Sequence, residues 1–156
     1  MIYTKKELLQ KGETDYSIRC KVQTKHLFVI EHGVYSDKPK AFVDEIYICK
    51  KYPNAILTGL SAFYIYDLTD HIPDKFYLVT VQHSFPIRRK EVHQSYQESN
   101  CFSIGLSQMK YENGLINIYD LERLLIELVR FKERYSPDIY YEVLNSFRKR
   151  KNDFRK

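Results

Sequence analysis

A cluster of acidic and basic side chains between residues 122 and 130 contains the types of groups that carry out proton transfer. Glu122 and Arg123 are adjacent, and Glu127 and Arg130 follow within two helical turns. On a helix, Arg123 and Glu127 are four residues apart and Glu127 and Arg130 are three apart, so these groups can form ion pairs with each other. We therefore interpret the cluster as structural rather than catalytic.

Residues 58–61, Thr-Gly-Leu-Ser, are similar to the glycine-serine signature of nucleotidyltransferases. That chemistry also needs metal-binding carboxylates on a downstream strand. Asp67 and Asp70 are three residues apart, and no paired Asp-x-Asp follows them. The sequence also has no glycine-rich phosphate loop, His-based metal cluster or nucleophile elbow. We therefore predict no enzymatic activity, no cofactor and no metal, and the alternative is a metal-dependent nuclease that uses Asp67, Asp70 and Glu122.

The composition predicts a globular protein with one domain or two small ones. The chain has 156 residues, of which 44% are hydrophobic and 29% are charged. No apolar run is long enough to cross a bilayer, and no apolar signal region follows Met1, so we expect a cytoplasmic protein without a membrane partner. Cys20, Cys49 and Cys101 have none of the spacings of a zinc site or a redox motif.

The net charge of +5 is concentrated at the two ends of the chain. Residues 148–156 contain six Arg or Lys residues against one Asp, and residues 1–40 contain eight against five acidic residues. Basic segments of this kind attract phosphate groups or acidic protein surfaces. A nucleic acid is therefore one of the expected partners.

Residues 1–40 have the pattern of a small winged helix-turn-helix. The predicted elements are helices over residues 5–11 and 14–25, followed by strands over residues 27–31 and 34–36. Thr4 and Glu7 have the spacing of a capping box, and Gly12 ends the first helix. Gly33 suits the tight turn of a β-hairpin between the two strands. Two short helices and a hairpin in this order are typical of winged helix-turn-helix domains.

Residues 41–156 have the pattern of an α+β domain with a small, mostly antiparallel sheet and a basic C-terminal tail. The predicted helices cover residues 42–52, 61–68, 121–130 and 137–147, and the predicted strands cover residues 76–81, 102–106, 109–112 and 115–119. Residues 83–100 are predicted to be irregular. The third of these helices, capped by Asp120, has an apolar stripe that consists of Leu121, Leu124, Leu125, Leu128 and Val129.

The outer face of the second predicted helix has the side chains that a DNA recognition helix needs. With Ile18 and Val22 turned inward, the helical period of 100° per residue places polar side chains on the opposite face. Hydrogen-bonding groups can contact base edges, and cations can contact phosphates. The predicted DNA contacts are Tyr16, Ser17, Arg19, Lys21, Gln23, Thr24, Lys25 and, at the hairpin tip, His32. The alternative is an ordinary solvated helix face.

Six segments, taken in order along nearly the whole chain, resemble a known family. They are residues 5–12 (Lys-Lys-Glu-Leu-Leu-Gln-Lys-Gly), 16–19 (Tyr-Ser-Ile-Arg), 33–35 (Gly-Val-Tyr), 56–62 (Ile-Leu-Thr-Gly-Leu-Ser-Ala), 68–73 (Leu-Thr-Asp to Ile-Pro) and 119–130 (Tyr-Asp-Leu-Glu-Arg to Val-Arg). In order and spacing, these segments resemble the AbiEi-type antitoxins of type IV abortive-infection toxin-antitoxin systems.

The resemblance implies two partners. Residues 1–40 would bind double-stranded DNA at the protein's own promoter and repress its operon. Residues 41–156 would counter a cognate toxin similar to a nucleotidyltransferase, with or without stable contact between the two proteins. Basic residues that we predict to contact the toxin or DNA are Arg88, Arg89, Lys90, Arg130, Arg148, Lys149, Arg150 and Lys151.

Two alternative interpretations stay open, one for the basic residues and one for the function. The basic residues of the second domain can be part of a solvated loop and a solvated tail. The chain can also be a solitary DNA-binding transcriptional regulator whose second domain binds a ligand or forms a dimer. An antitoxin gene should be adjacent to the gene of its toxin, which distinguishes the two functions.

Overall fold

The fold was determined from a computed structural model, which describes residues 1–39, 44–112 and 114–150. The chain divides into two compact units. The first unit contains Met1–Pro53 and Lys110–Leu115, and the second contains Asn54–Met109 and the residues from Ile116 onward. Helices occur together with small sheets, which confirms the predicted α+β class.

The first unit begins with a strand, two short helices and a hairpin. Its elements are β1 (Ile2–Thr4), α1 (Lys5–Gln10), α2 (Asp15–Gln23), β2 (Phe28–Glu31), β3 (Val34–Ser36) and α3 (Glu45–Lys51). The strands form an antiparallel sheet in the order β1-β3-β2. The sequence does not predict β1, because three residues are too few to show a period.

Helix α3 belongs to the first unit, although the sequence analysis assigned its residues to the second domain. Asp44 caps it, since the Asp44 carboxylate accepts a hydrogen bond from the Tyr47 N–H at 2.7 Å. Phe42 and Val43, where we predicted this helix to begin, lie outside the described residues. The helix buries Ile46, Tyr47 and Ile48.

Both α1 and α2 begin at capping boxes. The Thr4 hydroxyl accepts a hydrogen bond from the Glu7 N–H at 3.2 Å, and the Glu7 carboxylate accepts one from the Thr4 N–H at 2.7 Å. Thr14 and Ser17 form the same reciprocal pair, at 3.1 and 2.8 Å. These bonds satisfy backbone N–H groups that have no partner within the helix. The caps fix the first residue of each helix.

A small apolar core holds the two helices together. Leu8 from α1, Ile18 from α2 and Leu27 before the hairpin are buried against one another. Three partly buried side chains pack around them: Tyr3, Val22 and Tyr35. Helices of six and nine residues are marginal in isolation, so this packing provides most of their stability.

The turn between α1 and α2 requires a left-handed backbone conformation. Gly12 has a φ angle of +87°, and its N–H donates to the Leu9 carbonyl to close α1. Lys25 has the same role after α2, with a φ angle of +60°. Helix α2 therefore ends at Gln23, two residues before its predicted end. Glycine adopts this conformation without the steric cost that other residues have.

The remaining elements form a larger, mixed sheet and the helices that accompany it. They are β4 (Ile56–Leu57), α4 (Gly59–Ile65), β5 (Phe76–Val81), β6 (Val92–Gln97), α5 (Ser99–Phe102), β7 (Leu106–Tyr111), β8 (Gly114–Tyr119), α6 (Leu121–Arg130) and α7 (Pro137–Lys149). The strand order is β6-β5-β4-β8-β7. Strands β4 and β5 are antiparallel, whereas β5 pairs with β6 and β4 with β8 in parallel.

Three predictions for this part of the chain are wrong in detail. Strand β6 lies within residues 83–100, which we predicted to be irregular, because its mostly polar side chains show no apolar alternation. The predicted strand over residues 102–106 is wrong, since Ser99–Phe102 is helical and Gly105, at a φ angle of +78°, lies in a turn before β7. Helix α4 covers Gly59–Ile65 rather than residues 61–68.

Helix α6 packs through a face that differs from the predicted stripe. Leu124 and Leu128 are completely buried, but Val129 is 56% exposed. Glu127, which we placed outside the stripe, is only 8% exposed. At 100° per residue, Glu127 and Leu128 lie within 60° of Leu124, whereas Val129 lies about 140° away. The geometry of the helix therefore puts the carboxylate on the buried face.

Helix α7 matches its prediction closely. Pro137 occupies its first position, where the missing N–H costs nothing, and the Ser136 hydroxyl accepts a hydrogen bond from the Ile139 N–H. Val143 and Phe147 are buried. No helix within the described ranges is both long enough and apolar enough to span a membrane.

The two faces of α6 predict opposite effects of the same substitution. We expect Leu128→Asp to destabilise the protein by more than about 3 kcal/mol, because it leaves a cavity and buries an unpaired charge. Val129→Asp should change the stability by less than about 0.5 kcal/mol, because that side chain is exposed. Urea unfolding followed by circular dichroism measures both. Equal losses would contradict the assigned face.

The left-handed turn predicts a cost for a side chain at residue 12. Gly12→Ala should lower the free energy of unfolding by about 1 kcal/mol, because alanine is strained at this φ angle. Space is not the reason, since no atom lies within 4 Å of the added Cβ position. Lys6→Ala, at an exposed position of α1, is the control and should be neutral in the same unfolding experiment. A neutral Gly12→Ala would disprove the role of the turn.

Candidate functional site

Helix α2 presents an exposed face opposite its buried residue Ile18. Tyr16 is 78% exposed, and Arg19 and Gln23 are also exposed, whereas Ile18 is only 3% exposed. Positions 16, 19 and 23 are separated by three and four residues, so they lie on the same side of the helix. The structure therefore brings a phenol, a guanidinium and an amide together on one surface.

Two of the predicted DNA contacts on α2 already have partners in the protein. The Ser17 hydroxyl donates to the Glu13 carboxylate at 2.6 Å and accepts from the Thr14 N–H at 2.8 Å. The Lys21 ammonium forms an ion pair with the same carboxylate. The Lys21 ammonium, and then the Ser17 hydroxyl, lower the pKa of Glu13. Ser17 and Lys21 thus hold the residues that precede α2.

At the C-terminal end of α2, one predicted DNA contact has partners within the protein and another is exposed. The Thr24 hydroxyl donates to the Cys20 carbonyl at 2.9 Å, and His26 Nδ1 lies 2.9 Å from the Thr24 hydroxyl oxygen. Thr24 therefore closes the helix. Lys25 follows in the left-handed conformation and is exposed.

A shallow depression with a volume of about 210 Å³ lies between α2 and the hairpin turn. Lys5, Arg19 and His32 contribute to its lining, and Lys5 also pairs with Asp15 at 3.0 Å. The Lys5 N–H donates to the Gly33 carbonyl at 2.8 Å, which attaches the hairpin turn to the start of α1. Lys5 is not among the DNA contacts predicted from the sequence, because its place beside Arg19 depends on this long-range contact.

The basic residues of the loop before β6 differ in exposure. Arg88 and Lys90 are exposed, whereas Arg89 is mostly buried and lies 3.7 Å from the Glu91 carboxylate. Arg130 is exposed at the end of α6, with its guanidinium 5.2 Å from the centre of the Phe131 ring.

The basic residues near the end of α7 also differ in exposure. Arg148 and Lys149 are exposed. The Arg150 guanidinium donates to the Asp67 carbonyl at 3.3 Å, so it is partly engaged within the second unit. Lys151, the last predicted contact, lies outside the described residues.

A buried polar cluster in the second unit joins α6 to the residue that precedes α4. The Glu127 carboxylate accepts a hydrogen bond from the Arg123 Nε at 3.1 Å, which confirms the predicted ion pair between these residues. Its other oxygen accepts from the Thr58 hydroxyl at 2.6 Å. No local pattern predicts this second contact, because 69 residues separate Thr58 from Glu127. Both side chains of the ion pair are only 11% exposed.

The carboxylates proposed for a metal-dependent alternative do not form a metal centre within the described residues. There, no group of three or more His, Cys, Asp or Glu side chains is arranged to hold a metal ion. Asp67 has a side chain that is 90% exposed, and the Asp70 N–H donates to the Glu142 carboxylate at 2.9 Å. This bond and one from the Thr69 hydroxyl lower the pKa of Glu142. Cys20, Cys49 and Cys101 form no disulfide.

The start of α1 is stabilised by a network around Glu7. The Lys50 ammonium donates to the Ile2 carbonyl at 2.5 Å and to the Glu7 carboxylate at 3.2 Å. Burial alone would raise the pKa of Glu7, but the Thr4 N–H and the Lys50 ammonium outweigh it and lower this pKa. The network thus holds β1, α1 and α3 of the first unit together.

The lowered pKa of Glu7 predicts a loss of stability in acid. A carboxyl whose pKa is lower in the folded state contributes stability above its unfolded pKa of about 4.3, and this stability is lost as the pH falls through the folded pKa. We expect Glu7→Gln to reduce the free energy of unfolding at pH 7, and the difference from the natural protein to shrink toward zero near pH 3. Urea titrations at the two pH values test this. A difference that is independent of pH would contradict the assignment.

Two structural features of the described residues bear on function. They are the exposed face of α2 beside the basic depression, and the buried Glu127 cluster of the second unit. The chain matches no protein-family model, and no curated protein matches its sequence.

Proposed function

We propose that this chain is a DNA-binding repressor and the antitoxin of a type IV toxin-antitoxin pair, with α2 as the recognition helix. The observation that carries the DNA-binding part is the exposed face of α2 within the order strand, helix, turn, helix, hairpin. This order is that of a winged helix-turn-helix, in which the second helix of the turn enters the major groove. The hairpin of β2 and β3 corresponds to the wing.

The side chains of α2 divide into two roles in this proposal. Tyr16 and Gln23 are exposed hydrogen-bonding groups that can contact base edges. Arg19 and Lys25 are exposed cations that can contact phosphates and fix the position of the helix in the groove. Ser17, Thr24 and Lys21 position the helix through their contacts within the protein.

The depression lined by Lys5, Arg19 and His32 supports a phosphate contact beside the groove. Arg19 and the Lys5 ammonium carry positive charge, and the His32 imidazole at the hairpin turn can donate a hydrogen bond. Asp15 neutralises part of this charge through Lys5, which leaves Arg19 as the dominant cation. A phosphate bound here would link the recognition helix to the wing.

The antitoxin part of the proposal depends on the resemblance to the AbiEi-type family and on the second unit. Its proposed partner is a nucleotidyltransferase-like toxin in the cytoplasm. The exposed cations available for an acidic toxin surface are Arg88, Lys90, Arg130, Arg148 and Lys149. Arg89 and Arg150 are weaker candidates, because they already contact acidic residues or carbonyl groups within the protein.

A solitary transcriptional regulator with a ligand-binding domain is the second candidate function. A cavity of about 420 Å³ in the second unit favours it, because this volume is within the range of small-molecule sites. Co-expression with the adjacent gene distinguishes the two functions. Rescue of growth from a toxic neighbour supports the antitoxin, and a harmless neighbour supports the solitary regulator.

The DNA-binding proposal predicts different effects for two cations on the same helix. Arg19→Ala should weaken binding to the DNA upstream of its own gene by about tenfold and should reduce the salt slope of log K by about one. Lys21→Ala should change the slope less, because Glu13 already neutralises the Lys21 ammonium. Fluorescence anisotropy over a series of salt concentrations measures both.

The control for this experiment is Lys75→Ala, which removes an exposed cation from the second unit. It should leave both the affinity and the salt slope unchanged. If Arg19→Ala behaves like this control while circular dichroism shows that it is folded, α2 is not the recognition helix.

The toxin-binding surface can be tested with a charge that does not contribute to folding. Arg130→Ala should leave the unfolding midpoint unchanged, because the side chain is exposed. We expect it to reduce protection of cells against the adjacent toxin while promoter binding is retained. Full protection by Arg130→Ala and by the double variant Arg88→Ala, Lys90→Ala would exclude both surfaces.

A further inference from the structure

The second unit contains a cavity of about 420 Å³ that the DNA-binding and antitoxin roles do not use. It is lined by residues of α6, β5 and β6, by the segment that begins α4 and by residues 131–135 after α6. The lining residues include Thr58, Tyr77, His93, Glu127, Arg134 and Tyr135. All six belong to the second unit.

The Glu127 carboxylate is one of several polar groups in the lining, together with Thr58, Ser95 and Gln97. Its oxygens accept hydrogen bonds from Thr58 and Arg123, and each carboxylate oxygen has a second lone pair. The carboxylate itself therefore offers only acceptors to a ligand. A buried carboxylate costs desolvation free energy that a leucine at the same position would not cost, so packing alone does not explain it.

The walls of the cavity are aromatic. Five aromatic side chains contribute to the lining, Tyr77, His93, Tyr96, Phe131 and Tyr135, and the Tyr77 and His93 rings pack against each other with their centroids 5.0 Å apart. Burial raises the pKa of Tyr135 to about 12, so its hydroxyl keeps its proton and can donate. Aromatic side chains in a cavity lining can stack on a planar ligand.

The backbone at Gly59 keeps one edge of the cavity clear. A Cβ atom at this position would lie 3.4 Å from the Tyr135 hydroxyl and 3.8 Å from the Tyr77 Cβ. The φ angle of Gly59 is +52°, which other residues rarely adopt. A longer side chain at residue 59 would occupy space between the two tyrosines.

One cation lies at the rim. Arg134 is exposed, and its guanidinium lies 3.9 Å from the centre of the Phe131 ring, which also lines the cavity. The aromatic ring orients the guanidinium and leaves its N–H groups available for an anion. A planar ligand in the cavity would therefore place an attached anionic group next to Arg134.

We propose that this cavity binds a nucleoside monophosphate whose base carries an exocyclic amino group. The base packs against the aromatic side chains of the lining, its amino group donates to the Glu127 carboxylate, and the phosphate contacts Arg134. The aromatic walls favour a planar base, the carboxylate favours a base edge that donates hydrogen bonds, and the rim cation favours the phosphate. This inference is independent of DNA binding and of toxin neutralisation.

Isothermal titration calorimetry of the full chain tests the proposal. The probes are adenosine, guanosine and cytidine monophosphates, with inosine and uridine monophosphates as matched nucleotides that lack the exocyclic amino group. We expect at least one amino-bearing nucleotide to bind and its matched nucleotide to bind about tenfold more weakly. No binding by any probe, or equal binding within each matched pair, would overturn the proposal.

A variant at the rim separates recognition of the phosphate from recognition of the base. Arg134→Ala should weaken binding of the preferred nucleotide by about tenfold but leave binding of the corresponding nucleoside unchanged, because only the phosphate contacts the guanidinium. Lys75→Ala removes an exposed cation of the second unit that does not line the cavity, and it should have no effect. If the two variants bind the nucleotide equally well, Arg134 does not hold the phosphate and the proposed site is wrong.

Discussion

The hydrogen-bonded carboxylate of Glu127 determines much of the arrangement of the second unit. It lies on the same face of α6 as Leu124 and Leu128, where a charge is costly to bury unless it has partners. Arg123 supplies one partner from the preceding turn, and Thr58 supplies the other from the residue before α4. The contact between α6 and the start of α4 is therefore polar as well as apolar, and the cavity forms beside it.

The first two helices of the first unit are too short to be stable alone, so their stability depends on capping and packing. Capping boxes at Thr4 and Thr14 fix where α1 and α2 begin, and left-handed residues at Gly12 and Lys25 fix where they end. Leu8, Ile18 and Leu27 then bury the inner faces together. Local hydrogen bonds thus set the length of each helix, and a small apolar core sets their packing, which leaves the outer face of α2 exposed.

The basic residues of the chain have two distinct roles, which only their surroundings distinguish. Lys21, Lys50, Arg123 and Arg150 contact carboxylates or carbonyl groups, and they hold neighbouring elements in place. Arg19, Arg88, Arg130, Arg134 and Arg148 are exposed. A surface that binds phosphates or an acidic protein must be built from this second group, because a cation with a carboxylate partner has less charge to offer.

The sequence alone determined the α+β class, the capping box at Thr4, the hairpin and the long helix after Pro137, because each follows from local spacing or from backbone chemistry. It also predicted the ion pair of Arg123 and Glu127, which needs only a helix. The tertiary structure decided that Glu127 is buried, that Thr58 binds it and that Lys5 lies beside Arg19. It also decided that polar residues 92–97 form a strand, since pairing with β5 rather than apolar alternation holds them. These features depend on residues far apart in sequence, and a local pattern contains no information about such contacts.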